Sequence, residues 1–280
     1  MKRLALQIFF SFISMFMFFP LSGQEIPYTW KPSYLPQSAI HSQVPVPAGF
    51  FRTTYPAHTF SHWLRSLPVD TTDSVVHLFN GERKRNQQAH AYILDIPVGS
   101  RDLQQCADAV MRLKAEYQFS QNMQEAIHFT FTNGEQATYT SWEAGYRPKI
   151  SGNRISWQKT AKPDGSYKNF LRYMNIVFSY AGTWSFSQEC SPIPLSEAKI
   201  GDIFIQGGFP GHAVIIVDEA VNVRGEKIFL LAQSYMPAQQ IHILKNPQTP
   251  SLSPWYSFQE ATLTTPEWSF PEESLKRIQW

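Results

Sequence analysis

The sequence predicts an α+β fold in which helices pack on an antiparallel sheet. Residues 213–217 are apolar at every position, which is typical of a strand that is covered on both faces. A polar turn over residues 219–226 separates this run from a second apolar run, residues 228–235, and so favours an antiparallel hairpin. Strands and helices elsewhere lack a regular βαβ alternation, which indicates the α+β class.

The chain begins with the features of a secretory signal peptide. Basic residues at positions 2 and 3 precede an apolar run over residues 4–21, and two small residues follow it. The run is barely as long as the roughly 20 residues that a spanning helix needs, and it ends beside Pro20, so we expect no transmembrane anchor in the mature chain. Residues 1–23 are therefore predicted to be removed near Gly23, which leaves a periplasmic or secreted protein.

Charge and composition restrict the partners and the domain organisation. Without residues 1–23 the chain has as many basic as acidic residues, 22 of each. Nucleic-acid binding needs an excess of basic groups, so we do not expect a nucleic-acid partner, and the basic cluster at residues 82–85 is interpreted as a solvated loop. No linker-like segment interrupts residues 58–280, which are predicted to form one α+β domain behind an irregular, proline-rich arm over residues 24–57.

The first half of the predicted domain contains two helices and two strands. Thr59 is predicted to cap a short helix that ends before Pro68. Strands over residues 75–79 and 89–98 follow. Ser100 is predicted to cap an amphipathic helix. The inward face of that helix has apolar residues at i, i+3 and i+4 spacing: Leu103, Cys106, Val110, Leu113 and Tyr117.

The next segments predict a hairpin, a loop and a second helix. Residues 127–131 alternate between apolar and polar, and the Asn-Gly pair at residues 133–134 is typical of a tight hairpin turn. Residues 143–165 are predicted to form a polar loop. A second amphipathic helix is predicted over residues 167–180. Residues 246–272 are rich in proline and lack a clear period, so we expect an irregular arm there.

A histidine at the start of the apolar strand needs an explanation. If Asp218 pairs with Lys227, the antiparallel register places His212 directly opposite Gln233. A neutral imidazole whose second nitrogen is held by a side-chain amide is suited to act as a general base. The ordinary interpretation is a core histidine that a neighbouring side chain satisfies.

The cysteines and the other histidines define the remaining candidate chemistry. A disulfide between Cys106 and Cys190 and two free thiols are both consistent with an exported chain. The histidines are scattered; His58 and His62 lie four residues apart but lack an adjacent carboxylate, and no His-Glu-x-x-His or Cys-x-x-Cys spacing occurs. Glycine loops of the kind that cradle phosphates are missing as well. The sequence therefore predicts neither a metal nor a cofactor.

Three segments, taken in order, resemble the NlpC/P60 and CHAP branch of papain-like cysteine peptidases. They are a helix that ends at residues 181–182, a Gly-Asp turn at residues 201–202, and the strand that His212 opens. The resemblance implies a papain-like antiparallel sheet with packed helices, elaborated by an extra hairpin and irregular N- and C-terminal arms. It further implies that His212 is the catalytic base, that Gln233 orients it, and that the substrate is a cell-wall peptide.

The same resemblance places the nucleophilic cysteine near Phe170, where the sequence has no thiol. Cys106 lies on the other amphipathic helix and precedes His212 by a separation that papain-like enzymes tolerate. Cys190 lies in a predicted loop, too close to Gly201 to open the required helix. Cys106 is therefore the candidate nucleophile, and it requires a different alignment of the helices.

Most of the mature chain is also similar to a family of exported proteins from Bacteroides-like bacteria, the domain of unknown function DUF4846. The similar segments are residues 101–113, 204–212 and 231–238. This resemblance implies no activity.

Two functions of different classes follow from these features. The first is an exported cysteine peptidase or amidase that hydrolyses amide bonds of cell-wall peptides. In it Cys106 attacks the carbonyl, His212 transfers the proton and Gln233 orients the imidazole, while backbone N–H groups of residues 207–211 bind the oxyanion. The second is a non-catalytic exported module on the same scaffold that binds a cell-wall peptide or glycan, with aromatic side chains lining its groove.

Overall fold

The structure, a computed structural model, describes residues 28–259 and 261–280. The predicted signal peptide, residues 1–23 with cleavage near Gly23, lies outside the described residues. In the described part of the chain no helix combines the length and the apolar character that crossing a membrane requires. Its α-helices are α1 (Ile40–Gln43), α2 (Phe60–Arg65), α3 (Cys106–Ser120), α4 (Tyr139–Glu143), α5 (Tyr167–Tyr180) and α6 (Thr183–Gln188).

The strands of the described residues form one large sheet and three small hairpins. In chain order they are β1 (Phe50–Arg52), β2 (His90–Ile93), β3 (His128–Thr130), β4 (Gln136–Thr138), β5 (Tyr146–Ser151), β6 (Arg154–Lys159), β7 (Cys190–Pro192), β8 (Ile203–Gln206), β9 (His212–Asn222), β10 (Lys227–Gln233), β11 (His242–Leu244), β12 (Thr262–Thr264), β13 (Ser269–Pro271) and β14 (Leu275–Ile278).

The large sheet is antiparallel, and helices pack against it. Its strand order is β2, β11, β10, β9, β8, β14 and β7, and β1 pairs with the far end of β9. The helices α2 and α3 both contact β9. The predicted α+β class with an antiparallel sheet is therefore confirmed.

The central strand β9 is buried along most of its length, as its unbroken apolar run predicts. The predicted register with β10 is wrong: Lys227 pairs with Val221, and Asp218 pairs with Leu230. The reason is that β9 continues to Asn222, so the turn starts later than expected, and a bulge between Leu230 and Leu231 shifts the pairing again. His212 and Gln233 are therefore not direct strand partners.

The helix α3 begins five residues later than predicted, with Gln105 rather than Ser100 as its N-cap residue. The Asp108 carboxylate accepts a hydrogen bond from the Gln105 N–H at 3.0 Å, which fixes this start. The Asp102 carboxylate accepts from the Ala238 N–H at 2.7 Å and ties the turn before α3 to the segment that follows β10. As a result Cys106 lies in the first turn of α3.

The helix α3 is buried on all sides, whereas an amphipathic surface helix is buried on one face only. Every residue over 106–118 is buried, including its charged ones. The Arg112 guanidinium donates to the Glu116 carboxylate at 2.6 Å, so these two charges neutralise one another inside the protein. The structure therefore places α3 as a core helix with Cys106 at its start.

Two other helices agree with their sequence signals. The Thr59 hydroxyl accepts a hydrogen bond from the His62 N–H at 3.2 Å and caps α2 as predicted. The second predicted amphipathic helix matches the bounds of α5, in which Phe170 is buried. The extra hairpin around residues 133–134 is present as β3 and β4.

Several segments differ from expectation. Residues 75–79 form only isolated bridges, and the predicted loop over residues 143–165 contains the hairpin of β5 and β6. Residues 28–57 are mostly irregular but include α1 and β1. The predicted irregular arm over residues 246–272 is more regular than expected, because β12 and β13 form a hairpin within it. After this arm, β14 joins the large sheet.

Candidate functional site

The structure brings the three predicted site residues to one end of the large sheet. Cys106 is the first residue of α3, His212 is the first residue of β9, and Gln233 is the last residue of β10. All three are buried; Cys106 is 7% exposed and His212 is 1% exposed. Elements that are far apart in the chain therefore meet at this point.

His212 and Gln233 are joined by a hydrogen bond although their predicted register is wrong. The distance from His212 Nε2 to Gln233 Oε1 is 2.8 Å. The last pair of the ladder is Ala232 with Ile215, so one further step along β10 reaches the level of Val214, two residues from His212. Side chains two residues apart on a strand share a face, and the contact is therefore a diagonal one.

The Gln233 amide nitrogen has two acceptors of its own. It donates to Glu267 Oε2 at 2.7 Å and lies 3.4 Å from His242 Nε2. With both amide hydrogens directed there, the amide oxygen faces His212 and accepts from its Nε2–H. The neutral His212 ring then has its lone pair on Nδ1, the nitrogen that Gln233 does not contact.

Aromatic rings enclose the His212 imidazole on the face of β9 that also carries Val214. The ring centroids of Tyr235, Trp268 and Phe270 lie 4.9, 5.3 and 5.8 Å from that of His212. Burial is the main reason that the pKa of His212 is lowered to about 4; the Gln233 hydrogen bond opposes this shift and the Lys84 charge adds to it. The imidazole is therefore neutral at pH 7 and able to accept a proton.

The Cys106 thiol lies against the backbone on both sides of His212. It donates a long, weak hydrogen bond to the Gly211 carbonyl oxygen, with Sγ 3.9 Å from that oxygen. Burial raises the pKa of Cys106 to about 11, and the nearby Asp108 charge also raises it, whereas the N–H groups of Ala107 and Ala213 act in the opposite direction. The sulfur is therefore a neutral thiol at rest.

The thiol occupies the place where β9 and β10 separate. Ile216 exchanges hydrogen bonds with Gly201 and Asp202 on the β8 side. Alternate residues of a strand direct their backbone groups to opposite neighbours, so Gly211 and Ala213 face the β10 side. The β9–β10 ladder ends at the pair of Ile215 and Ala232, so β10 does not pair with Gly211 or Ala213. The backbone groups of these two residues are therefore open to the Cys106 sulfur. The thiol's hydrogen bond is to Gly211, and His212 is the adjacent residue.

The loop between β8 and β9 is held closely against α6. The Thr183 hydroxyl donates to the Gly208 carbonyl at 3.2 Å, and a Cβ at Gly211 would lie 2.2 Å from that hydroxyl oxygen. Glycine is therefore required at position 211. At the start of α3, the N–H groups of Cys106 and Ala107 have no carbonyl acceptor within the helix, because the first turn of any α-helix leaves its donors free. These are a second source of oxyanion donors.

Sequence reasoning missed Glu267, Lys84 and His242, which surround Gln233. Lys84 belongs to the cluster interpreted as a solvated loop, and that interpretation is wrong for this residue. Its side chain is 5% exposed, and its Nζ lies 2.5 Å from Glu267 Oε2. Glu267 lies in the segment that lacked any period, so no sequence signal indicated its position.

The two cysteines are free thiols, and both are buried. Cys190 begins β7, where burial raises its pKa to about 12. Of the two alternatives that the sequence left open, the structure therefore has the free thiols. Among residues 28–259 and 261–280 no group of three or more histidine, cysteine, aspartate or glutamate side chains is arranged to hold a metal ion.

Comparison with known proteins gives one match. A family model described as domain of unknown function (4846) matches residues 40–277. No curated protein and no solved structure matches the chain. The matched region includes α3, all of the large sheet except the last residue of β14, and all three site residues. The chain therefore belongs to the family of the domain of unknown function DUF4846.

Proposed function

We propose that the protein is a cysteine hydrolase of amide bonds, with Cys106 as nucleophile, His212 as general base and Gln233 as the residue that orients the imidazole. The observation that carries the proposal is the 2.8 Å hydrogen bond from His212 to Gln233, with the Cys106 sulfur against the two residues that flank His212. A thiol, an imidazole and an orienting amide in one place are the parts that nucleophilic catalysis needs.

The resting protonation states define the order of events. The thiol and the imidazole are both neutral at pH 7, so the proton moves as the sulfur attacks. Sγ forms a bond to the carbonyl carbon, and the thiol proton passes to His212 Nδ1. The imidazolium returns this proton to the leaving amine as the C–N bond breaks. Water then hydrolyses the thioester with His212 as base, which regenerates the thiol.

In this scheme the backbone N–H groups in the first turn of α3 bind the oxyanion. The N–H groups of Cys106 and Ala107 are free of intrahelical acceptors and adjoin the sulfur. Residues 207–211, for which the sequence predicted this role, are held against α6 by Thr183.

The resemblance to NlpC/P60 and CHAP peptidases supports the same assignment under a changed helix alignment. The position near Phe170 lies inside α5, whereas Cys106 opens α3, the core helix that contacts both β9 and β10. We therefore propose a papain-like arrangement in which α3 is the nucleophile helix. A cell-wall peptide is the proposed substrate, and the periplasm or the exterior of a Bacteroides-like bacterium is the proposed location.

A specific observation favours the second function, a non-catalytic binding module. The thiol and the imidazole are both almost fully covered, so a substrate must displace a side chain before it reaches the sulfur. Trp268 and Tyr235 are the half-buried rings beside His212 and are the groups that would move. In the binding function they stay in place, and a cell-wall peptide or glycan is held on the outer surface.

Turnover of peptidoglycan fragments separates the two functions. We expect amide cleavage, followed by mass spectrometry, to be abolished in Cys106→Ser and retained in Cys190→Ser, because Cys190 lies on β7 away from His212. Retained cleavage in Cys106→Ser would contradict the proposed nucleophile. Fragments that bind equally to the chain and to Cys106→Ser, without cleavage by either, would favour the binding module.

A further inference from the structure

We propose that Glu267, paired with Lys84, is a positioning residue that sets the tautomer of His212 through the Gln233 amide. The inference builds on the proposed function, since a free lone pair on His212 Nδ1 is what would receive the thiol proton. It assigns a role to a buried ion pair that lies outside the three proposed catalytic residues.

The Gln233 side-chain amide can face His212 with its oxygen or with its nitrogen. A side-chain amide has an oxygen that accepts and a nitrogen that donates, and a half turn exchanges the two. His212 can donate from Nε2 or accept there, so it would satisfy either direction. The direction must therefore be decided by the other neighbours of Gln233.

Those neighbours are acceptors. A carboxylate only accepts, and Glu267 Oε2 lies 2.7 Å from the Gln233 amide nitrogen. His242 Nδ1 lies 2.9 Å from the Gln240 carbonyl oxygen and must donate to it, so His242 Nε2 has the lone pair and also accepts. The opposite amide direction would set the Gln233 oxygen against both, which would leave unmet hydrogen bonds in a buried place.

The Lys84 ammonium makes it possible for a carboxylate to occupy this place. Side chains of Lys84 and Glu267 are 5% and 11% exposed, and a lone charge at such burial is costly. Asn86 also donates to Glu267 Oε1, at 3.3 Å. These contacts hold Glu267 Oε2 where the Gln233 amide meets it.

The consequence for His212 follows directly. With the Gln233 oxygen directed at Nε2, that nitrogen carries the hydrogen and Nδ1 keeps its lone pair. Loss of the Glu267 acceptor would leave only the 3.4 Å contact with His242 to hold the amide. The two amide directions would then become closer in free energy, and both His212 tautomers would be populated.

Two double variants in a Cys190→Ser background test the proposal. Lys84→Met with Glu267→Met removes the ion pair and the acceptor. Lys84→Met with Glu267→Gln removes the charges but keeps an amide oxygen, which accepts from Gln233 when the Asn86 amide turns its own oxygen toward the new N–H group. Both double variants are uncharged at positions 84 and 267, and methionine and glutamine are similar in size. A difference between the two variants therefore reports on the hydrogen bond from the Gln233 amide to residue 267. Asp202→Asn with Arg277→Met, which removes a partly buried ion pair at the Gly201 turn, controls for general destabilisation.

The primary readout is the ¹⁵N spectrum of the His212 ring, which distinguishes the tautomers without any substrate. We expect the Nε2–H form in the parent chain, in the acceptor-keeping variant and in the Asp202 control, and a mixture of both forms in the acceptor-free variant. An unchanged Nε2–H form in the acceptor-free variant would overturn the proposal. If that variant does not fold, an Nδ1–H form of His212 in the parent chain is sufficient to overturn it.

The second readout links the tautomer to the proposed chemistry. We expect alkylation of Cys106 by iodoacetamide at about pH 7.5 to fall on the order of tenfold in the acceptor-free variant and to stay near the parent rate in the acceptor-keeping one. A tautomer that changes while the alkylation rate does not would support the positioning role and count against the proposed nucleophile–base pair. The two failures are therefore distinguishable.

Discussion

The His212 imidazole and the Gln233 amide lie 2.8 Å apart although the two residues are not strand partners. A bulge at Val217 of β9, opposite Leu230 and Leu231, and a ladder that ends at Ala232 set them diagonally on one face. The same divergence of β9 and β10 opens the backbone of Gly211 and Ala213 to the Cys106 sulfur. The separation of β9 and β10 therefore has two effects: it allows the His212–Gln233 hydrogen bond and it makes room for the Cys106 thiol next to His212.

Removal of the Trp268 ring is expected to open the site. Trp268→Ala should raise the pKa of His212 by about one unit toward its ordinary value, because burial is the main cause of its depression. It should also speed the alkylation of Cys106. An NMR titration and mass spectrometry measure the two effects. Trp157→Ala, which removes a half-buried ring packed on Phe131, serves as the control and should change neither.

Acid should destabilise the protein through its buried histidines. Burial lowers the pKa of His242 from 6.5 to about 3. Between about pH 6.5 and about pH 3 the unfolded chain therefore binds a proton at this histidine that the folded chain does not bind. Stability is therefore lost as pH falls, by about 2 kcal/mol for this residue between about pH 7.5 and about pH 5. In urea unfolding, the free energy of unfolding of His242→Gln should fall by that much less between the two pH values than it does for the parent chain. An equal fall in both chains would contradict the contribution predicted for His242.

The Asp218 carboxylate should be a major contributor to stability. It is fully buried and accepts from Arg52 Nε and Arg65 Nε at 2.7 Å each. Asp218→Asn should lower the free energy of unfolding by about 3–5 kcal/mol, because it leaves buried guanidinium groups without their counter-charge. Glu197→Gln is the control: this side chain is 60% exposed and lies 4.0 Å from Arg277, so a change within about 0.5 kcal/mol is expected. A loss below about 1 kcal/mol in Asp218→Asn would contradict the prediction.

The sequence was informative where a signal is local. Continuous burial of β9, the Thr59 cap and the bounds of α5 follow from apolar runs, capping residues and helical spacing, and all three are confirmed. The grouping of His212 with Gln233 was also predicted, because a diagonal contact tolerates a small error in register.

Features that depend on distant contacts could not be predicted. The start of α3 is set partly by Asp102, whose partner is the N–H of Ala238 on another segment. The pair of Lys84 and Glu267 joins residues 183 positions apart, and neither lies in a periodic segment. No local pattern distinguishes Lys84 from its solvated neighbours, so its burial is visible only in the folded chain.

The most direct test of the central claim is the rate at which iodoacetamide alkylates Cys106 in the Cys190→Ser chain, with and without His212→Gln. If His212 takes the thiol proton, alkylation at about pH 7.5 should be at least on the order of tenfold faster when the histidine is present. Equal rates in the two chains, or a Cys106 that stays unlabelled even after Trp268→Ala, would contradict the account.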